Sequence, residues 1–319
     1  MNKRLIDVKN LKKYFDVGDG AKLHAIDDVS FSINKGETLG LVGESGCGKS
    51  TTGRVMLRLL PPTGGQVIFE GQDVLKANAQ QMKRLRQKMQ MIFQDPYSCL
   101  NPRKTVRQII AEPLLVQRVL KGRALWAKVD DLMAETGITP EIADKYPHEL
   151  DGGRRQRVGI TRALALEPNF IVCDEPVSAL DVSIQAQIIN LLKELQEKMG
   201  LTYLFISHDL SVVKHISDRI LVMYLGCIVE EADSEELFRN PQHPYTQALL
   251  SAIPQTKIEQ RRKRIILTGD VPSPVNPAPG CRFAKRCWLT EKRCEQEMPE
   301  LTECAPGHRV ACHLINPHQ

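Results

Sequence analysis

The chain has 319 residues, with 42% hydrophobic and 25% charged residues, an ordinary globular balance with room for one large domain and a smaller attachment. A net charge of +5 is too mild for a nucleic-acid binder, which concentrates basic residues on one face. No segment reaches the roughly 18 apolar residues of a membrane span, and the opening MNKRLIDVKN lacks the apolar core of a signal peptide, so the expectation is a cytosolic chain that meets a membrane only through partners.

Residues 5–8 and 29–33 (VSFSI) alternate as antiparallel strands do, and so does GQVIFEG at 65–71. ETLGLVG (37–43) is a short apolar strand running into a Gly-rich loop, and STTGRVMLRLL after it has helical spacing. The stretch from about 95 to 160 reads as helical, with no matching strands. FIVCDE (170–175) is a buried strand. In the next segment Ile184, Ile188, Leu191, Leu192, Leu195 and Met199 recur at helical spacing until Gly200 stops the helix. LTYLFIS (201–207) follows as a strand. Strand–helix alternation predicts a parallel sheet covered by helices, that is, an α/β core beside an antiparallel β subdomain, with an inserted helical lobe at about 95–160. Beyond about 255 a basic run, Arg261 to Arg264, reads as a solvated face. It leads into VPSPVNPAPG, a stiff extended connector. Residues 1–254 are therefore expected to form the main domain and 255–319 a C-terminal extension.

GESGCGKST (43–51) fits G-x-x-x-x-G-K-[ST] and lies between a strand and a helix, the context that gives this motif its meaning. Gly43, Gly46 and Gly48 let the backbone curl so that its N–H groups, with those of Ser45, Cys47 and Thr51, face phosphate oxygens. The next helix presents its positive end to the same anion. Lys49 reaches the β- and γ-phosphates, and the Ser50 hydroxyl suits Mg²⁺. At the end of the apolar strand, Asp174 would hold Mg²⁺ through its water shell, and Glu175 would orient or deprotonate an attacking water. These residue types predict hydrolysis of ATP.

MIFQDP (91–96), LDGGRRQR (150–157), CDEPVSALD (173–181) and SHD (207–209) follow the phosphate loop in the order seen in ABC-type ATPases, which the chain resembles. That resemblance implies a P-loop core with a RecA-like parallel sheet. It makes Gln94 the residue touching metal and water, His208 the switch histidine on the γ-phosphate, and Asp181 part of the dimer-crossing loop. Phe15 falls where an aromatic ring stacks on adenine, with Tyr14 as the lesser candidate. Cassettes of this kind work in pairs, each signature completing the ATP site of the other chain, so this single set of motifs needs a second chain. QDPYSCLNPR (94–103), RNPQHPYTQALLSAIP (239–254) and PSPVNPAPGCRFAKRC (272–287) are similar to the dipeptide/oligopeptide importer ATPases, specifically the F-type partner of a D/F heterodimer. The likeness implies a D-type second ATPase, two membrane permease subunits, an extracytoplasmic peptide-binding protein, no nucleic acid, and a place on the cytoplasmic side of the inner membrane. Relatives handling nickel or other small solutes keep the cargo open, and a soluble, non-transport ABC ATPase is the alternative reading.

The usual signature of that family is LSGGQ; here Asp151 stands for the serine before Gly152 and Gly153, and Arg154 for the glutamine. Asp caps a helix well. A carboxylate beside a γ-phosphate, however, is repelled by about 4 kcal/mol at ~4 Å and an effective dielectric of ~20 unless Arg154 compensates. The expectation is one weakened ATP site of two.

Five cysteines crowd the tail at 281, 287, 294, 304 and 312. No C-x2-C pair of a zinc module is present, and long uneven spacings suit a four-thiolate cluster. Zinc or free thiols remain alternatives. The resemblance implies a [4Fe–4S] cluster on Cys281, Cys287, Cys294 and Cys312, with Cys304 left over. Distance in sequence from the hydrolysis motifs predicts a structural role.

Overall fold

A computed structural model describes residues 4–253 and 264–315. The boundary at 254/255 and most of the basic run at 261–264 lie outside them. In chain order the strands are β1 (Arg4–Asp16), β2 (Lys22–Asn34), β3 (Thr38–Val42), β4 (Gly64–Phe69), β5 (Gln72–Asp73), β6 (Met89–Ile92), β7 (Phe170–Asp174), β8 (Thr202–Ser207), β9 (Arg219–Tyr224), β10 (Cys227–Asp233), β11 (Thr302–Ala305) and β12 (His308–Val310). The residues group into two compact units. Of the described residues, one holds 34–37 and 76–206, the other 4–33, 38–75, 207–253 and 264–315.

In the first unit β6, β7 and β8 are parallel, with Met89 opposite Phe170 and Phe170 opposite Thr202. All of β7 and β8 is buried, as expected of parallel strands covered on both faces. No strand interrupts residues 93–169. This stretch holds the helices Val106–Val116, Gly122–Glu135 and Gly152–Leu164. Thr105 and Gln108 close a capping box on the first of these, satisfying donors that the helix itself leaves orphaned. The helix Val182–Met199 buries Ile188, Leu191, Leu192 and Leu195, while Ile184 and Met199 are half-buried at its ends. Gly200 terminates it at φ 65°, as its position predicts.

In the second unit β1 pairs antiparallel with β4, Ile6 opposite Phe69, in a sheet ordered β2-β1-β4-β5. The alternation at 5–8 and 29–33 marks only parts of two 13-residue strands. In β1 the register shifts between Lys9 and Lys12, breaking the period-two pattern while pairing continues. The second sheet of this unit runs β11-β12-β10-β9-β3. β3 lies parallel to β9, and the remaining pairs are antiparallel.

The tail is built into this unit. Its proline-rich connector lies along β2: Val275 bridges Leu23, and the Lys22 N–H donates to Asn276 Oδ1 at 2.9 Å. β12 then pairs with β10, Glu230 opposite Val310. Glu230 is fully buried and accepts from the N–H groups of Gln242 (2.6 Å) and His243 (3.0 Å) and from His308 Nε2 (2.8 Å). Its neighbour Glu231 lies 3.0 Å from both Arg219 and Arg309. Burial alone would lower the His308 pKa, but the hydrogen bond and charge of Glu230 hold it above its ordinary value. Burial drives His243 down to about 4. It stays neutral, and its Nδ1 accepts from the Tyr245 N–H at the start of the helix Pro244–Ser251.

A His308→Gln variant should lose about 2 kcal/mol, since the buried Glu230 carboxylate loses a charged donor. The raised pKa places this stabilisation fully below about pH 6.5 and removes it as pH rises through the folded value. Thermal unfolding of both proteins from pH 5.5 to 9 should show the gap largest at the acid end; a gap that does not change with pH contradicts the pairing.

Candidate functional site

The phosphate loop grows out of β3, whose five residues are all buried. Its first glycine, Gly43, has φ 153°, and a Cβ there would lie 2.1 Å from the Met223 carbonyl oxygen. Gly48 has φ 108°, and a Cβ would lie 2.1 Å from the Ala25 carbonyl oxygen. Any larger residue at either position collides with backbone and must also adopt a left-handed conformation. Gly48 is the N-cap of the helix Lys49–Met56, whose first turn has no acidic residue to occupy its positive end. Lys49 is 4% exposed, and its ammonium donates to the carbonyls of Gly43 (2.8 Å) and Glu44 (2.9 Å). The charge is thus held within the loop's own curl. Ser45 and Gly46 are exposed, Ser50 and Thr51 half-buried, and Cys47 is buried with its thiol pKa pushed up by desolvation.

Tyr14 and Phe15 are distinguished clearly. Tyr14 stacks on His24 at 3.9 Å between ring centroids and donates its hydroxyl to Asp27. Burial and Asp27 raise its phenol pKa, so it is committed to the fold. Phe15 is half-buried, with Lys13 Nζ 4.6 Å from its ring centroid.

In the other unit β7 ends at Asp174, which is fully buried. Glu175 follows at φ 45°, a left-handed conformation costing a non-glycine residue about 1 kcal/mol or more. The bond from the Glu175 N–H to the Ile206 carbonyl (3.0 Å) holds it there. Gln94 Nε2 donates to Glu175 Oε2 at 2.9 Å, bringing together two residues 81 positions apart. His208, which groups with the phosphate-loop unit, is exposed just after β8, and Asp209 after it caps the helix Leu210–Ile216.

Asp151 is the N-cap of Gly152–Leu164, its Oδ1 accepting from the Arg154 N–H at 2.8 Å. Arg154 Nε also lies 3.3 Å from Asp151 Oδ2. The carboxylate is therefore engaged twice by one residue. A Cβ on Gly153 would lie 2.7 Å from Ile184 Cγ2, so the signature start packs directly on the helix Val182–Met199, whose N-cap is Asp181.

In the tail, Cys281, Cys287, Cys294 and Cys312 line one small cavity beside Phe283, Ala284, Pro244 and Leu314. Burial pushes the Cys281 thiol up to about 11 and raises Cys287 and Cys312 as well. Cys304 lies apart, its Sγ facing the His308 carbonyl oxygen at 3.4 Å. Among the described residues no three His, Cys, Asp or Glu side chains are close enough to hold a single metal ion. The tail reaches the phosphate loop despite its distance in sequence. Arg282 pairs with Asp27, and Arg286 pairs with Glu44 inside the phosphate loop. The motifs overlook Glu44, Tyr245 and Arg286. For Arg286 the sequence offers a signal in the basic and aromatic spacing of CRFAKRC between the thiols.

A phosphate loop after a buried strand, an acidic pair closing another, and a capped helix opening on Gly-Gly define an ATP-binding cassette. Residues 26–178 match the ABC transporter family, and 229–294 match the oligopeptide/dipeptide transporter C-terminal region. The chain is 53% identical to the oligopeptide transport ATP-binding protein AppF of Bacillus subtilis (strain 168), covering 98% of each. It is 49% identical to the dipeptide transport ATP-binding protein DppF of Escherichia coli (strain K12), over 98% of this chain and 95% of that one. Among solved structures it is similar to the ATP-binding cassette MJ0796 bound to ADP and Pi, with a TM-score of 0.66 and 29% identity over 72% of this chain and 98% of that one. The chain belongs to the ABC-type ATP-binding subunits of oligopeptide and dipeptide transporters. No helix among the described residues is long and apolar enough to cross a membrane.

Proposed function

We propose that the chain is the ATP-hydrolysing subunit that powers import of di- and oligopeptides through a membrane ABC transporter. The observation that carries hydrolysis is Glu175, held in a left-handed conformation at the end of β7 with Gln94 on its carboxylate. Lys49 and the loop N–H groups from Gly43 to Thr51 bind the polyphosphate, and Phe15 takes the adenine. Ser50, Gln94 and Asp174 would hold Mg²⁺, which would supply positive charge to offset that developing on the phosphate oxygens. Glu175 accepts the proton of the attacking water, Gln94 orients it, and His208 donates to the γ-phosphate. The peptide cargo rests on full-length likeness to peptide transport subunits. The expected assembly contains a D-type second ATPase, two permease subunits and an extracytoplasmic peptide-binding protein, with this chain on the cytoplasmic face. Residues 1–254 serve as the nucleotide-binding domain and 255–319 as a C-terminal extension.

In the assembled transporter, Glu175→Gln should lower ATP turnover by at least about 100-fold while leaving ATP binding intact. Turnover retained in that variant overturns the assignment.

Asp151 would face the γ-phosphate bound by the partner subunit. Arg154 engages the carboxylate, but both side chains are more than half exposed, so solvent weakens the compensation. The site formed with this signature is the weaker of two, and hydrolysis falls to the site containing this chain's Lys49 and Glu175. Asp151→Ser in the complete transporter should raise ATPase activity or leave it level; a large loss contradicts the asymmetry.

Four thiols around one cavity, Cys294 buried and Cys281, Cys287 and Cys312 half-buried, match the four-thiolate donor set of a [4Fe–4S] cluster. Cys281, Cys287, Cys294 and Cys312 would hold it as thiolates. Bound there, it would supply cross-links between tail segments. Chain purified without oxygen should be brown, absorb near about 400 nm and carry iron and sulfide; a colourless, zinc-loaded protein refutes the cluster.

A further inference from the structure

Two opposite charges more than 200 residues apart in sequence meet at the phosphate loop. Arg286 ends the short turn Ala284–Arg286, directly before Cys287. Its Nη1 lies 2.9 and 3.2 Å from the two carboxylate oxygens of Glu44 and 3.4 Å from the Tyr224 hydroxyl. The Arg286 side chain is only 9% exposed and that of Glu44 29%, so water competes weakly for the pair. Tyr245 holds the same residue from its backbone side, its hydroxyl accepting from the Glu44 N–H at 2.8 Å. The Glu44 carbonyl in turn accepts from Lys49 Nζ. Phe283, three residues before Arg286, packs on Tyr224 and Tyr245 at centroid distances of 5.3 and 5.5 Å and seats the turn.

Glu44 is therefore gripped at its side chain, its N–H and its carbonyl. A carboxylate within a loop built for a polyphosphate repels that ligand unless a cation offsets it. Lys49 is engaged with the loop carbonyls, and Arg286 is the cation hydrogen-bonded to the Glu44 carboxylate.

We propose that Arg286 is a positioning residue of the nucleotide site: from the cysteine-bearing tail it neutralises and fixes Glu44, and through Glu44 it sets the loop and Lys49 for the polyphosphate of ATP. The inference rests on the ATPase reading above and adds the tail to the nucleotide-binding apparatus. Peptide cargo plays no part in it.

The test uses the full chain in its transporter, reading ATP affinity and kcat separately. Arg286→Gln should raise KM for ATP about tenfold and leave kcat within about twofold. Adding Glu44→Gln to that variant removes the unbalanced charge and should return KM to within about threefold of wild type. Arg286→Lys, which keeps the charge, should also stay within about threefold. The proposal falls if the double variant binds ATP no better than Arg286→Gln, if Arg286→Lys is as impaired as Arg286→Gln, or if only the unfolding temperature moves. Should Arg286→Gln fail to fold, the double and lysine variants decide the matter: KM within about threefold of wild type in both supports the proposal, and a tenfold rise in either overturns it. Wild-type binding of ATP is measured first. Its absence overturns the ATPase reading, whereas normal wild-type binding with an unaffected Arg286→Gln overturns this inference alone.

Discussion

The burial of one ammonium group organises the phosphate loop. Lys49 has almost no solvent contact, and two loop carbonyls replace its lost water. That arrangement requires the loop to curl tightly, which requires Gly43 and Gly48 to touch the backbone of Met223 and Ala25. Those carbonyls belong to β9 and β2, so a strand from each sheet of this unit supports the curl. The curl is thus fixed by the fold around it, and it holds the ammonium charge inside the loop.

A second regularity concerns acids near phosphate. Glu44 and Asp151 each put a carboxylate where a polyanion is expected, and each is met by an arginine. The two pairings differ in kind. Arg154 comes from the same turn as Asp151, and both are exposed. Arg286 comes from the far end of the chain, and its side chain is 9% exposed against 29% for Glu44. A surface pair adjusts easily and contributes little. A partly buried pair is screened less by solvent, so removing one member leaves the other charge more poorly compensated than at the surface.

Local chemistry is legible in the sequence wherever a residue's role depends on its chain neighbours. The P-loop pattern, the acidic pair 174–175, the glycine stop at 200 and the capping role of Asp151 all depend on spacing of a few residues, and all are found in place. The strands β1 and β2 are legible only in part, because the register shift near Lys9 and a mixed burial pattern hide their length. The tail is hidden for a different reason. Its contacts with Asp27, Glu44 and Glu230 join segments 78 to 255 residues apart, and no local pattern encodes such pairings. The same limit applies to Gln94 and Glu175: their types are readable from motifs, their hydrogen bond is not.

The hairpin β11–β12 has a consequence beyond holding cysteines. It occupies the flank of β10, which would otherwise present open backbone donors and acceptors to any passing extended chain. The strand left outermost, β11, has only four residues, and its Thr302 and Glu303 are exposed. Such a short, charged margin recruits poorly. The tail therefore acts as a stop to lateral sheet growth, and a chain cut before it would gain a sticky margin along with its loss of cysteines.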